Sequence, residues 1–268
     1  MTTTSNFIWY ELFTTDTEAA KKFYGKVVGW TTADSGQTDK DYSIWMAKDE
    51  GIGGLIAIPK DAANQDAKPR WLGYINVANV DKTVTQMTAV GGRVHWPATD
   101  IPNVGRIARV SDPQGAEFYV MTPKPMASKG DAKSTAFAEG IPGHCSWNEL
   151  QTTDARAALN FYTEEFGWKS PRTVDMGAMG SYYIISADAK SKTEIGGIMN
   201  KGLDCPSPMW NHYFNVDDID AAAKRVSAAG GTVQGTPQEV PGGVWIFHGT
   251  DPQGGKFSLV GPRKPASA

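Results

Sequence analysis

This chain of 268 residues lacks long apolar runs and an excess of basic residues, and its first residues do not resemble a secretion signal. No run approaches the roughly 18 apolar residues that a membrane-spanning helix needs. Lysine and arginine total 26 against 29 aspartate and glutamate residues, so the net charge of −3 gives no basic excess for nucleic acid. The first residues, MTTTSNF, have neither a basic nor an apolar segment of a signal peptide. We therefore expect a cytoplasmic protein with no membrane or nucleic-acid partner.

Cysteine is nearly absent as well. Cys145 and Cys205 are the only two, and their separation fits neither a zinc-binding spacing nor a disulfide framework. We expect both to be ordinary buried thiols in a reducing compartment. The alternative is that they form a functional pair.

A duplication is the main feature that the chain does have. WYELFTTD at 9–16 recurs as WNELQTTD at 147–154, with six of eight residues identical. Five further segments recur in the same order at offsets of 138 to 143, among them FYGKVVGW, IGGL and DPQGAEF. Repeats of this length predict two tandem homologous domains, at 1–124 and 142–268. The segment 125–141 between them is rich in Pro, Gly, Ala, Ser and Lys and is predicted to be a linker.

Hydrophobic patterning gives both repeats the same plan. FIWYELFT (7–14) has the composition of a strand, with Trp9 and Glu11 on one face. A helix follows, capped by Thr15 or Asp16 and ending near Gly29. Three strand-like runs come next, and the second half of each repeat follows the same order. Each domain is therefore predicted to be a pair of βαβββ modules, in an α+β fold.

Four such modules resemble the vicinal oxygen chelate superfamily, which includes glyoxalase I, bleomycin-resistance proteins and extradiol dioxygenases. The segments ELFTTDTEAAKKFYGKVVGW and ELQTTDARAALNFYTEEFGW and the two DPQG turns carry the resemblance, which covers nearly the whole chain. It implies that each domain forms a cupped mixed β-sheet. The doubled WxELxTTD pattern further resembles two-domain bacterial members described as glyoxalase-like.

The resemblance also implies where a metal ion would be held. In metal-dependent members, the first and last strands of the modules supply the ligands. Those places correspond here to Trp9, Leu72 and Tyr119, and to Trp147, Asn211 and Ser258. An indole nitrogen is a hydrogen-bond donor only, so it cannot be such a ligand. We therefore expect neither a cofactor nor a metal site.

Histidine offers an alternative. The four histidines do not recur between the repeats, but His212, Glu149 and His248 could together form a divalent-metal site in the second domain.

Several residues are candidates for a site on the cups. Glu11 and Glu149 are the carboxylates repeated on a first strand. Each is a candidate catalytic base together with His248 if it is desolvated, and a structural residue otherwise. Arg109 is a candidate for holding an anionic group. Trp71 and Trp210 belong either to the core or to a pocket rim. The predicted ligand-binding residues are Trp9, Trp147, Tyr119, Arg109, Asn211, His212 and Trp245.

Two functions follow. The first is a small-molecule-binding protein of the glyoxalase/bleomycin-resistance type that lacks the usual metal and takes an apolar or aromatic ligand. The alternative is a lyase or isomerase acting next to a carbonyl through Glu/His acid–base residues, with or without a divalent metal. Either a monomer or a homodimer fits, because one chain supplies all four modules.

Overall fold

The structure is a computed structural model that describes residues 4–36, 42–60, 67–124, 134–187 and 193–265. Its elements follow the predicted order of four βαβββ modules. The first module contains β1 (Phe7–Thr14), α1 (Thr17–Val27), β2 (Thr31–Asp34), β3 (Tyr42–Ala47) and β4 (Glu50–Ala57). The second contains β5 (Arg70–Asn76), α2 (Val80–Ala89), β6 (Arg93–Ile101), β7 (Gly105–Ser111) and β8 (Glu117–Pro123).

The second repeat has the same elements. Its first module contains β9 (Cys145–Thr152), α3 (Ala155–Phe166), β10 (Lys169–Asp175), β11 (Ser181–Ser186) and β12 (Glu194–Asn200). Its second module contains β13 (Met209–Asn215), α4 (Ile219–Ala228), β14 (Thr232–Val240), β15 (Val244–Thr250) and β16 (Lys256–Gly261). A short 3-10 helix, Gly177–Met179, lies between β10 and β11.

Each repeat forms one eight-stranded mixed sheet. The strand order is β2-β3-β4-β1-β5-β8-β7-β6 in sheet 1 and β10-β11-β12-β9-β13-β16-β15-β14 in sheet 2. The β1–β4, β5–β8, β9–β12 and β13–β16 pairs are parallel, whereas the hairpin neighbours are antiparallel. The predicted α+β class and the tandem pairs of βαβββ modules are therefore confirmed.

The recurring TTD segment starts the first helix of each repeat. Asp16 is the N-cap of α1 and accepts a hydrogen bond from the backbone N–H of Ala19 at 2.9 Å. Asp154 caps α3 through Ala157 at the same distance. Of the two predicted caps for α1, it is thus Asp16 that satisfies an otherwise unpaired N–H of the first turn.

Residue contacts divide the chain into two compact units, and each unit combines one module from each repeat. The first unit comprises the described residues of Met1–Ile8, Leu72–Lys133 and Trp147–Asn211. The second comprises those of Trp9–Trp71, Ser134–Ser146 and His212–Ala268. The sequential domain boundaries at 124 and 142 stay a prediction.

A buried hydrogen-bonded relay joins the two modules of the second unit. The Trp71 indole donates to the hydroxyl of Tyr24 at 3.1 Å, and that hydroxyl donates to the Asp251 carboxylate at 3.0 Å. Asp251 also accepts backbone N–H groups of its own DPQG turn. Burial is the main cause that raises the pKa of Tyr24 and that of Asp251. Trp71 therefore belongs to the core.

The first unit contains the equivalent relay. Trp210 donates to Tyr162 at 3.0 Å, and Tyr162 donates to Asp112 at 3.1 Å. Burial again raises the pKa of Tyr162 and that of Asp112. The recurring FY, W and DPQG segments are thus explained as one structural network that is formed twice.

The described end of the predicted linker is ordered against β9. The backbone N–H of Cys145 donates to the carbonyl of Ala136 at 3.0 Å, and that of Ala138 donates to the carbonyl of Cys145 at 2.9 Å. Cys145 and Cys205 are both buried and form no disulfide. Residues 125–133 of the linker lie outside the described residues.

Among the elements that the structure describes, no helix combines the length and the apolar character needed to cross a bilayer.

Candidate functional site

Alternation along the strands separates a core face from a second face, which we call the cup face. On β1 the core face carries Tyr10, whose ring contacts His212 and Phe214 with centroids at 4.8 and 5.7 Å. Trp9 and Glu11, which flank Tyr10 in sequence, therefore point to the cup face. On β8 the core face carries Phe118, which packs against aromatic residues of α3.

On the cup face of β9, three side chains form a hydrogen-bonded group that we call the Trp147 triad. The indole of Trp147 donates to the hydroxyl of Tyr182 at 2.7 Å, and that hydroxyl donates to a carboxylate oxygen of Glu149 at 3.1 Å. The other oxygen of Glu149 accepts from the side-chain amide of Gln151 at 3.1 Å. Both carboxylate oxygens are already engaged, so Glu149 orients the triad.

The first repeat places Trp9, Glu11 and Tyr42 at the corresponding positions, and we call these residues the Trp9 triad. The indole of Trp9 donates to the hydroxyl of Tyr42 at 3.0 Å. Glu11 is more deeply buried than Glu149, with 4% of its surface exposed. Phe13 stands where the second repeat has Gln151, so the surroundings of this carboxylate are more apolar.

The recurring glycine pair makes room for both triads. Gly54 is the register partner of Glu11, and Gly197 is that of Glu149. A methyl group built on Gly54 would clash with the Tyr42 hydroxyl and lie 3.0 Å from Glu11 Oε1. On Gly197 it would clash with the ring of Tyr182. IGGL and IGGI are therefore close-approach sites, where a side chain lies directly over the strand.

A second group, which we call the Arg109 row, lies across β6, β7, β8 and β5. Trp96 pairs with Arg109, Arg109 with Tyr119, and Tyr119 with Tyr74. The rings of Tyr74 and Tyr119 are stacked, 4.3 Å apart and 9° from parallel. Arg109 Nε lies 3.7 Å from a carboxylate oxygen of Glu117. Predicted site residues Arg109 and Tyr119 are thus neighbours in one aromatic and cationic row.

The second repeat has a different row at the same place, which we call the His248 row. Gln234 pairs with His248, His248 with Ser258, and Ser258 with Tyr213. His248 Nδ1 and the Ser258 hydroxyl are 2.8 Å apart, and the ring of Tyr213 contacts that of His248 at 5.6 Å. Asn211 is half-buried on the same face of β13 as Tyr213. The two rows differ in character: the first is aromatic and cationic, whereas the second is more polar and keeps one aromatic ring, that of Tyr213.

Two predicted ligand-binding residues lie on the wrong face of their strands. His212 points into the core against Tyr10, opposite to its neighbour Tyr213, and is 3% exposed. Trp245 lies on the face of β15 opposite to His248. The guanidinium of Arg263 lies 3.4 Å from the Trp245 ring and forms an ion pair with Asp220 of α4. The structure therefore places His212 in the core and Trp245 against α4, so neither side chain lies on the cup face.

The same alternation separates two residues of the alternative metal site. His212 and His248 belong to opposite faces, because Tyr213 contacts His248 whereas His212 contacts Tyr10. Burial lowers the pKa of His212 to about 3. Within the described ranges, no three His, Cys, Asp or Glu side chains are grouped closely enough to hold a metal ion. At the positions implied by the resemblance, Trp9, Trp147 and Leu72 offer no lone pair to a divalent metal.

Sequence reasoning missed Tyr42 and Tyr182, the central members of the triads. A usable signal was present, because both tyrosines lie in the strand just before the recurring glycine pair. An aromatic residue that recurs in the strand beside a recurring pair of glycines indicates a ring lying over the glycine strand.

The family model described as Glyoxalase/Bleomycin resistance protein/Dioxygenase superfamily matches residues 6–120 and 141–259. "Putative glyoxylase CFP32" of Mycobacterium tuberculosis is 32% identical over 256 residues, covering 95% of this chain and 94% of that protein. "Anthracycline biosynthesis protein DnrV" of Streptomyces peucetius is 27% identical over 286 residues, covering 97% and 95%.

Solved structures share the fold at lower identity. The Mn(II)-bound glyoxalase from Novosphingobium aromaticivorans has a TM-score of 0.63 at 16% identity, covering 97% of this chain and 82% of that one. The 2,2',3-trihydroxybiphenyl 1,2-dioxygenase from Sphingomonas wittichii has a TM-score of 0.66 at 12% identity, covering 96% and 90%.

Proposed function

Since the chain belongs to the glyoxalase/bleomycin resistance protein/dioxygenase superfamily, we propose that it binds a planar aromatic small molecule on a cup face without a resident metal ion. The observation that carries this proposal is the triad. At the strand position implied for a metal ligand stands an indole whose N–H is held by a tyrosine hydroxyl, in both repeats.

A held indole suits an aromatic ligand. The hydrogen bond to Tyr182 fixes the Trp147 ring plane, and the tryptophan is half-buried. Stacking of a planar ring on such a surface contributes about 0.5–1.5 kcal/mol beyond the area it buries. The name of the Streptomyces relative, an anthracycline biosynthesis protein, supports a polycyclic aromatic ligand class.

Calorimetric titration with 2-naphthol and with its saturated counterpart decahydro-2-naphthol tests the proposal. We expect the planar compound to bind about tenfold more tightly, because only it can stack. The variants Trp9→Ala and Trp147→Ala, alone and combined, identify the sheet involved, and the combined variant should lose the preference. Trp245→Ala is the control, since that indole faces α4.

Three results would contradict the proposal. Equal affinity for the planar and saturated compounds, or full binding by the combined variant, would overturn the aromatic-binding part. Binding that disappears in EDTA and returns with Mn²⁺ would overturn the metal-free part.

A second candidate is a lyase or isomerase that acts beside a carbonyl. The name of the mycobacterial relative, "Putative glyoxylase CFP32", favours this candidate. The contact of His248 with Ser258 would orient the imidazole as an acid–base group. Glu149 fits the role of base less well, because both its oxygens accept hydrogen bonds. Consumption of the methylglyoxal–glutathione adduct by the protein, abolished in His248→Gln, would establish this candidate over binding alone.

A further inference from the structure

Two arginines on β7 have contrasting surroundings. Arg106, on the core side, donates to both oxygens of Asp81 at 2.7 Å and to Asp100 at 3.0 Å. Arg109, on the cup face, makes no hydrogen bond to the part of the chain that the structure describes, and its Nε is buried. Its carboxylate neighbour, Glu117, is 3.7 Å away, beyond the roughly 2.7–2.9 Å of a charge-assisted hydrogen bond.

The Arg109 side chain is partly exposed, and its cross-strand neighbours are aromatic residues. The Arg109 side chain is 26% exposed, and since Nε is buried the exposure belongs to its other atoms. Its two cross-strand partners are Trp96 and Tyr119. Tyr119 is held in place by stacking on Tyr74. A cation with unused donors is therefore flanked by flat apolar surface.

The His248 row shows that this combination is not imposed by the fold. There, the cation position holds a histidine bonded to Ser258, and glutamine replaces the flanking tryptophan. The corresponding strands thus tolerate a row without an arginine. Only Tyr74 recurs there, as Tyr213. The combination of Trp96, Arg109 and Tyr119 therefore distinguishes the first repeat.

We propose that the Arg109 row binds the anionic group of an aromatic acid, such as an aryl carboxylate. The carboxylate oxygens accept hydrogen bonds from the guanidinium, whose planar donor arrangement matches a carboxylate. The ligand ring packs beside the half-buried Trp96, whose ring meets that of the buried Tyr119 edge-on with centroids 6.4 Å apart. This inference rests on the proposed function, because it names the chemical class of the aromatic ligand.

The test compares 2-naphthoate with its neutral analogue 2-naphthamide by calorimetric titration. The protein should bind naphthoate about tenfold or more tightly, which is the effect of one charged hydrogen bond. Arg109→Met should lower the affinity for naphthoate to that for naphthamide, and the affinity for naphthamide should change by no more than about twofold. Arg109→Lys should keep part of the preference, since it retains the charge but not the paired donors.

Arg106→Met is the matched control: it removes an arginine from the same strand but from the opposite face, and the preference should persist. A ratio near one in the unaltered protein, or a preference that survives Arg109→Met, would overturn the inference. If Arg109→Met fails to fold by circular dichroism, Arg109→Gln and the ratio in the unaltered protein decide the question. Failure of both naphthalene compounds to bind would instead remove the proposed function itself.

Discussion

At the scale of single residues, the buried imidazole of His212 makes the free energy of unfolding depend on pH. Its ring lies against Tyr10 in the second compact unit, and burial lowers its pKa from 6.5 to about 3. The folded protein therefore holds a neutral ring where the unfolded chain takes up a proton below pH 6.5. Its contribution to stability is complete above pH 6.5 and is lost as the pH falls toward 3.

Replacing His212 with phenylalanine should flatten the acid side of the stability curve. Urea unfolding from about pH 8 down to about pH 4 should show the unaltered protein losing up to about 1.4 kcal/mol per pH unit more than His212→Phe below pH 6.5. The raised pKa values of Asp112 and Asp251 give an opposite slope above 3.8, where stability falls with rising pH, but they are common to both proteins and cancel in the difference. Parallel curves for the two proteins would contradict the assigned burial effect.

His212 and Trp245 were expected on the cup face but lie on the opposite face, and this difference has a simple physical origin. In a strand, consecutive side chains point to opposite faces, so an error of one residue in the register moves a side chain from the cup to the core. The sequence predicted correctly that Trp9 and Glu11 share a face, because WxE itself fixes their alternation. For β13 and β15 no such pair existed, and the register became known only from contacts such as Tyr213 with His248.

At the scale of secondary-structure elements, the paired glycines of β4 and β12 determine where the triads can form. The TTD caps, the helices and the order of strands were predictable, because they depend on local hydrogen bonds and periodicity. The packing of Tyr182 over Gly197 was not, because it joins residues of neighbouring strands through a ring that crosses between them.

A double-mutant cycle tests this packing. Gly197→Ala should destabilise the protein by about 1–3 kcal/mol, because the added methyl group displaces the Tyr182 ring. In Tyr182→Ala the space is open, so adding Gly197→Ala should then cost much less. Gly196→Ala is the matched control: its methyl group meets the backbone of Asn148, which Tyr182→Ala cannot relieve. Additive free energies of unfolding in the Gly197 cycle would contradict the assignment.

At the scale of the whole molecule, the repeats are interleaved in the compact units. In the first repeat, Trp71 donates a hydrogen bond to Tyr24, and Tyr24 donates one to Asp251 of the second repeat. The indole of Trp30 donates to the carbonyl of Gly143 at 2.8 Å, and Arg225 on α4 donates to the carbonyl of Val27 at the end of α1. Sequence similarity detects which segments are copies, but it carries no information about which copies pack together.

The interleaving predicts that the repeats cannot be separated as independent monomers. If residues 1–124 are produced alone, Tyr24, Trp30 and α1 lose partners that lie in the second repeat. We expect this piece to be unfolded or self-associated by size-exclusion chromatography and circular dichroism, and to regain structure when mixed with residues 134–268.

The relay supplies a control within that experiment. Asp251→Asn in the second piece removes the charged acceptor of Tyr24 and should weaken recombination about tenfold. Asp220→Asn, which removes a negative charge that is hydrogen-bonded to Arg263 within the same piece, should leave recombination unchanged. A monomeric, cooperatively melting 1–124 would show that contacts within one repeat suffice, and that the relay between repeats only adds stability to domains that already fold.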